Sequence, residues 1–208
     1  MFQTSAIEPG TLALLKNIAN IPELQQFYLA GGTALALRYS HRLSIDLDFF
    51  STSDFENEDI IEVLTKNFPT FTYRNSNNPI GVFGFINDVK VDFVKNHFFS
   101  FIDAPEIVDG VRLYSDKDLM AMKVFAILKR AVKKDFWDVY ELLHYYSVRT
   151  MIDCYLKKYP KNQMLISIPQ ALTYFADAEE SEEPVSLKGQ TWEGVKHFIQ
   201  QRVNEYLK

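Results

Sequence analysis

The stretch from Tyr28 to Phe50, YLAGGTALALRYSHRLSIDLDFF, constrains the fold of this chain more than any other. An apolar run that reads as a buried strand breaks at Gly31-Gly32 and restarts as an Ala/Leu-rich helix. It ends in a second strand carrying Asp46 and Asp48. Side chains alternate along a strand, so two carboxylates two residues apart point to one face. A chain built this way gathers a glycine turn, a helix N-terminus and a carboxylate pair. That combination suits holding a triphosphate beside a divalent metal.

Exposed carboxylates on an edge strand are the plainer explanation of an Asp-x-Asp. It fits poorly here, because Leu43, Ile45, Leu47, Phe49 and Phe50 surround the pair and Asp is disfavoured in strands. Neighbouring carboxylates repel unless a cation compensates, and magnesium prefers hard oxygen ligands that it shares with substrate phosphates. Asp46 and Asp48 are therefore expected to bind metal. Asp92, between Val91 and Phe93, completes the set if its strand lies beside theirs; three carboxylates would then hold two metals.

The glycines have a plain role in turning a strand into a helix. Their functional alternative lets the backbone approach a phosphate, faced by the Thr33 hydroxyl and the helix amides. No Lys follows as in a Walker A loop, and the third glycine of a dinucleotide fingerprint is absent. Arg42 is expected to pair with Asp46 or Asp48, or to clamp a phosphate, with a surface arginine as the bland alternative. His41 is expected to be structural or exposed, and the other three histidines carry no assignment.

Composition narrows the class. The 208 residues suit one domain or two small ones with a substantial core. A net charge of -5 argues against broad nucleic-acid binding driven by phosphate contacts, though it leaves room for a local basic patch. The single Cys154 excludes an internal disulfide and brings no metal-ligand spacing. No apolar run approaches a membrane span and no signal pattern opens the sequence, so a cytoplasmic location is expected.

Periodicity predicts helices over 9–20, 33–39 and 54–67, with strands over 26–30, 44–50, 71–74, 80–86 and 89–94. Asn87-Asp88 and Asp109-Gly110 read as hairpin turns. Ser115 with Asp118 resembles a capping box, and from there the pattern is helical: 116–131, 134–147, 150–158, 162–176 and 191–207. The expected organisation is an α/β half over 1–114 and a helical half over 115–208, with 177–184 as an acidic solvated loop. In the first of these helices Lys123 stands among Ala121, Met122, Val124 and Phe125, where a surface helix needs no cation. With Arg130, Lys134 and Asp138 it forms a stripe whose usual explanation is a solvated face. Asp135 either complements a helix dipole or faces the cleft as a general base, with Lys123 stabilising phosphate charge.

Taken in order, AGGTALAL from Ala30, HRLSIDLDFF from His41, DLMAMK from Asp118, Arg130 and KDFWD from Lys134 resemble the AbiEii/AbiGii-type nucleotidyltransferase toxins, a branch of the DNA-polymerase-β-like nucleotidyltransferase superfamily. Trp192 and Lys196 look like that family's closing helix. The resemblance implies an α+β nucleotidyltransferase fold, Mg²⁺ or Mn²⁺, and transfer of a nucleoside monophosphate from an NTP with release of pyrophosphate. Gly31, Gly32, Thr33, Arg42, Ser44 and Arg130 would then contact nucleotide or phosphate. Asp46, Asp48 and Asp92 would hold metal, and Asp46, Asp48, Lys123 and Asp135 would be catalytic. The implied acceptor is an RNA, such as a tRNA 3′ end, or a protein, and the implied partner is a cognate antitoxin. The rival reading is a nucleotide-binding or antitoxin-interacting module that has kept the fold and lost catalysis.

Overall fold

The computed structural model describes residues 2–96 and 99–208. Two helices, α1 (Pro9–Ala19) and α2 (Gly31–Tyr39), flank the short strand β1 (Phe27–Leu29). They are followed by β2 (Leu47–Ser51), α3 (Asn57–Asn67), β3 (Thr72–Tyr73), β4 (Gly81–Ile86), β5 (Val89–Lys95), β6 (Glu106–Val108) and β7 (Val111–Leu113). Among the described residues these strands form one seven-stranded sheet, in the order β3-β4-β5-β2-β1-β7-β6. The sheet is mixed: β2 runs antiparallel to β1 but parallel to β5.

Local chemistry explains most of these elements. Pro9 occupies the first turn of α1, where its missing N–H costs nothing. Asn87 and Asp88 both hold positive φ (49° and 64°), as do Asp109 and Gly110 (48° and 82°). Two consecutive left-handed residues match the twist of a two-residue hairpin, so β4–β5 and β6–β7 close where their turn residues stand. The strand expected over 44–50 is shorter and later. The Ser44 N–H bonds to the Ala6 carbonyl at 3.0 Å and the Leu43 N–H to Val185 at 2.9 Å, which takes this backbone out of the ladder. Asp46 consequently precedes the strand that carries Asp48.

At Ser115, the N-cap of α4 (Asp116–Lys129), strands give way to helices: α5 (Lys133–Leu142), α6 (Val148–Lys158), α7 (Ile168–Thr173) and α8 (Trp192–Leu207). The helix expected over 162–176 is much shorter, because Ser167 and Gln170 form a capping box that starts it and Pro169 blocks extension toward the N-terminus. The box expected at Ser115 is half formed. Ser115 accepts from the Asp118 N–H at 3.2 Å. The Asp118 carboxylate accepts from the Ser115 hydroxyl (2.6 Å), from Lys158 (2.6 Å) and from the Ile102 N–H (3.0 Å) rather than from the Ser115 backbone N–H. One apolar core runs through both halves, from Leu29, Leu35 and Phe93 to Trp137, Tyr155 and Val195. No helix among the described residues is long and apolar enough to cross a membrane.

Candidate active site

Between the centre of the sheet and helices α4 and α5 lies a cleft of about 540 Å³. Its lining is of two kinds: Gly31, Gly32, Asp46, Asp48, Lys123, Arg130 and Lys134 supply a helix N-terminus and charge, and Phe50, Met122, Phe125 and Tyr159 supply apolar and aromatic surface.

The diglycine is explained by what lies against it. Gly31 sits at φ 68°, and a Cβ there would run into the Asp48 carboxylate. A Cβ on Gly32 would overlap the Arg42 guanidinium. No side chain caps α2 and its first turn holds no acidic residue, so its N-terminal amides remain available to an anion. Thr33 does not face that space as expected. It is buried, with its hydroxyl 2.8 Å from Ser44 Oγ and bonded to the Asp46 carbonyl. It pins the segment that carries Asp46. Ser44 shares that bond while lining the cleft.

The carboxylates meet through sheet register. β2 and β5 are parallel, with Asp48 directly beside Asp92, the juxtaposition on which a role for Asp92 depends. Burial pushes the Asp48 carboxyl above its ordinary range, Lys90 opposes this, and Asp92 and Asp46 add to it. Burial likewise raises Asp92 against the pull of Lys90, which is hydrogen-bonded to its Oδ2. Asp92 Oδ1 is buried without a hydrogen-bond partner among the described residues. Asp46 is half-buried, its Oδ2 3.5 Å from Lys134 Nζ. Among the described residues no three His, Cys, Asp or Glu side chains are grouped closely enough to hold a metal ion together.

Arg42, Lys123 and Arg130 of this lining belong to a buried ion cluster that the sequence did not announce. Arg42 donates from Nε and Nη2 to the two oxygens of Asp138, at 2.8 and 2.9 Å. His41 Nε2 lies 2.7 Å from the same carboxylate, and Lys123 Nζ is 2.6 Å from it and 2.9 Å from Asp135. Arg130 closes the cluster on Asp135, donating from Nε at 3.0 Å. Arg42 therefore pairs with Asp138, and neither Asp46 nor Asp48 is its partner. Its fork matches one carboxylate in two bonds. Burial alone would raise both aspartates. Arg42 and Lys123 hold Asp138 well below the ordinary range, and Lys123 and Arg130 lower Asp135.

Asp135 was expected to face the cleft as a base. It has no exposed surface, and both oxygens accept bonds from cations. A carboxylate so stabilised is a poor proton acceptor, since an effective base has a pKa near the working pH. The geometry gives it the task of orienting Lys123 and Arg130. Asp138 and Lys134, which the sequence places on a charged stripe and in the KDFWD segment without a site role, both belong to the site. Asp138 shares its face of α5 with Asp135 and Glu141, three acids three residues apart and all buried. That stripe, next to Phe136 and Trp137, was the available signal.

Solved structures that share this fold include nucleotidyltransferases. A candidate nucleotidyltransferase of H. pylori superposes with a TM-score of 0.57 at 17% identity, over 95% of this chain and 94% of that one. MenT4, a nucleotidyltransferase toxin from Mycobacterium tuberculosis H37Rv, gives 0.58 at 12% identity, over 93% and 81%. At these identities the likeness is one of fold. The family model for the nucleotidyl transferase AbiEii toxin of type IV toxin–antitoxin systems matches residues 13–193, and this chain belongs to that family. An uncharacterized protein of Aquifex aeolicus (strain VF5) is 32% identical over 201 residues, covering 93% of this chain and 94% of its own.

Proposed function

We propose that the chain transfers a nucleoside monophosphate from an NTP to an acceptor hydroxyl and releases pyrophosphate, as the toxin of a pair with a cognate antitoxin. One observation carries the reading: the uncapped N-terminus of α2, the Asp46–Asp48 pair and the cations Arg130 and Lys134 open into a single cleft. The α/β half, 1–114, supplies the carboxylates and the glycine turn, and the helical half, 115–208, supplies the cations.

The donor set suits Mg²⁺ or Mn²⁺. Asp46 and Asp48 are hard oxygen ligands, Asp48 is held against repulsion from its neighbours, and Asp92 beside it has a buried oxygen without a partner. Asp46 and Asp48 would hold the ion, and Asp92 lies beside Asp48 in the sheet without completing a three-carboxylate group with them. When bound, the metal neutralises phosphate charge and polarises the reacting phosphoryl group. Gly31 and Gly32 let the triphosphate approach the helix amides, while Arg130 and Lys134 neutralise its outer oxygens. Lys123 and Arg42 line the same cleft, their positions fixed by ion pairs with Asp135 and Asp138. The base and ribose find apolar surface in the same cleft, at Met122, Phe125 and Tyr159. Phosphoryl transfer needs positioning and charge stabilisation above all, and these residues supply both.

Pyrophosphate release should require Mg²⁺ or Mn²⁺ and stop on chelation, measured for each of the common NTPs with cellular RNA and protein as acceptors. NTP binding without release across that whole panel would leave only a binding module.

A further inference from the structure

Most polar side chains that line the cleft carry charge and suit phosphate or metal. Asn96 does not. It stands one residue past β5, is 7% exposed, and lines the cleft beside Val94 and Phe99. Its backbone is fully engaged: the N–H donates to the Ser51 carbonyl at 2.8 Å, and the carbonyl accepts from the Phe99 N–H at 3.1 Å. What it offers the cleft is therefore its carboxamide. Nδ2 donates to the Tyr114 hydroxyl at 3.1 Å. Tyr114 is fully buried, and burial pushes its hydroxyl upward, so this partner stays neutral. Oδ1 has no hydrogen-bond partner among the described residues. An amide held by its nitrogen, with its oxygen free in an apolar wall, is a fixed acceptor that gains from a donor.

Strand geometry sets its distance from the carboxylates. Asp92, Val94 and Asn96 alternate along extended chain and so share a face, and the bond from Asn96 to Ser51 continues the β2–β5 ladder. The pairs Asp48↔Asp92 and Phe50↔Val94 give that face its order: carboxylates, then an apolar pair, then the amide. Four residues of strand cover about 13 Å, the order of reach from a metal-held phosphate across ribose to the far edge of a base. The group farthest from the ribose is the substituent at pyrimidine C4 or purine C6, an amino group in cytosine and adenine and an oxo group in uracil and hypoxanthine. We infer that Asn96 selects the base in this cleft, favouring NTPs with an amino group at that edge over those with an oxo group there. The inference rests on an NTP lying in the cleft with its phosphates at Asp46 and Asp48. An amino N–H donates to Oδ1, whereas an oxo oxygen sets two acceptors against each other with no hydrogen between them. The other uncharged hydroxyls do not sort the two. Ser44 is bonded to Thr33, and the Tyr159 hydroxyl donates or accepts alike.

The test uses the full chain with Mg²⁺ and no acceptor, and reads displacement of fluorescent mant-ATP by ATP against ITP and by CTP against UTP. Each pair differs by one amino-to-oxo exchange. The amino member should bind at least about tenfold more tightly, the scale for leaving one buried acceptor unpaired. This comparison needs only the unaltered chain, so it does not depend on a variant folding. Asn96→Ala should erase the difference within each pair by weakening ATP and CTP. Tyr114→Phe keeps the ring and frees the amide to turn Nδ2 into the cleft, so ITP and UTP should gain on their partners. Equal affinities within both pairs for the unaltered chain overturn the inference. An Asn96→Ala variant that weakens all four nucleotides equally also overturns it, leaving Asn96 a structural role. A chain that does not bind mant-ATP removes the nucleotide cleft and this inference together. Amino-over-oxo preference without pyrophosphate release on any acceptor keeps the inference and removes the transfer reading instead.

Discussion

Replacing Asp138 with alanine is expected to lower the unfolding free energy by about 3–5 kcal/mol, the scale for breaking a buried ion pair from one side. For a chain of this size that corresponds to a fall in melting temperature of roughly 6–20 °C. Asp138 has no exposed surface and receives Arg42, Lys123 and the His41 ring. Without it, Arg42 and Lys123 remain buried, and Asp135 is left to balance Lys123 and Arg130 together. Acid should act in the same direction. The folded Asp138 carboxyl titrates well below its unfolded value. Its stabilisation is therefore complete above about pH 4 and disappears as pH falls toward the folded value. Asp138→Ala should lose less stability between neutral and acidic pH than the unaltered chain does. A variant that melts with the unaltered chain at pH 7 would show that the cluster contributes nothing net.

Asp48→Asn is expected to do the reverse: cripple turnover while preserving or raising stability. Asp48 is held against Gly31 with Asp92 alongside, and its carboxyl is pushed upward by burial and by its acidic neighbours. A carboxyl raised in the folded state works against folding once it ionises, so the penalty is present above its folded pKa and relieved as pH falls. Asparagine keeps the shape and removes the charge. In metal-free buffer at pH 7 its melting temperature should equal or exceed that of the unaltered chain. Its NTP turnover should drop by at least about 10²–10³-fold, the scale for losing one preorganised electrostatic contact. Retained turnover with a lowered melting temperature would assign Asp48 a structural role.

Elements whose chemistry is local could be read from the sequence, and long-range pairings could not. Asn87-Asp88 and Asp109-Gly110 close their hairpins because the backbone at those residues fixes the turn. Gly31-Gly32 opens α2 for a related reason, although its neighbours are a carboxylate and a guanidinium of this chain. The Asp48↔Asp92 contact depends on a parallel pairing between strands some forty positions apart, which no local pattern specifies. Thr33 reads as a phosphate contact until its hydroxyl is found on the Asp46 carbonyl. Asp138 reads as one more helical carboxylate until Arg42, ninety-six positions earlier, is found on it. Charges inside apolar surroundings, Lys123 above all, showed that partners were needed without showing which.

The central claim, that Asp46 and Asp48 make this cleft a nucleotidyltransferase site, is tested most directly by incubating the chain with each α-labelled NTP, Mg²⁺ and total cellular RNA and protein. The Asp46→Ala/Asp48→Ala variant is run alongside, with its fold checked by circular dichroism. The account predicts label transferred to an acceptor, with pyrophosphate released, by the unaltered chain, and neither by a variant that remains folded. Undiminished label transfer by the variant would contradict it.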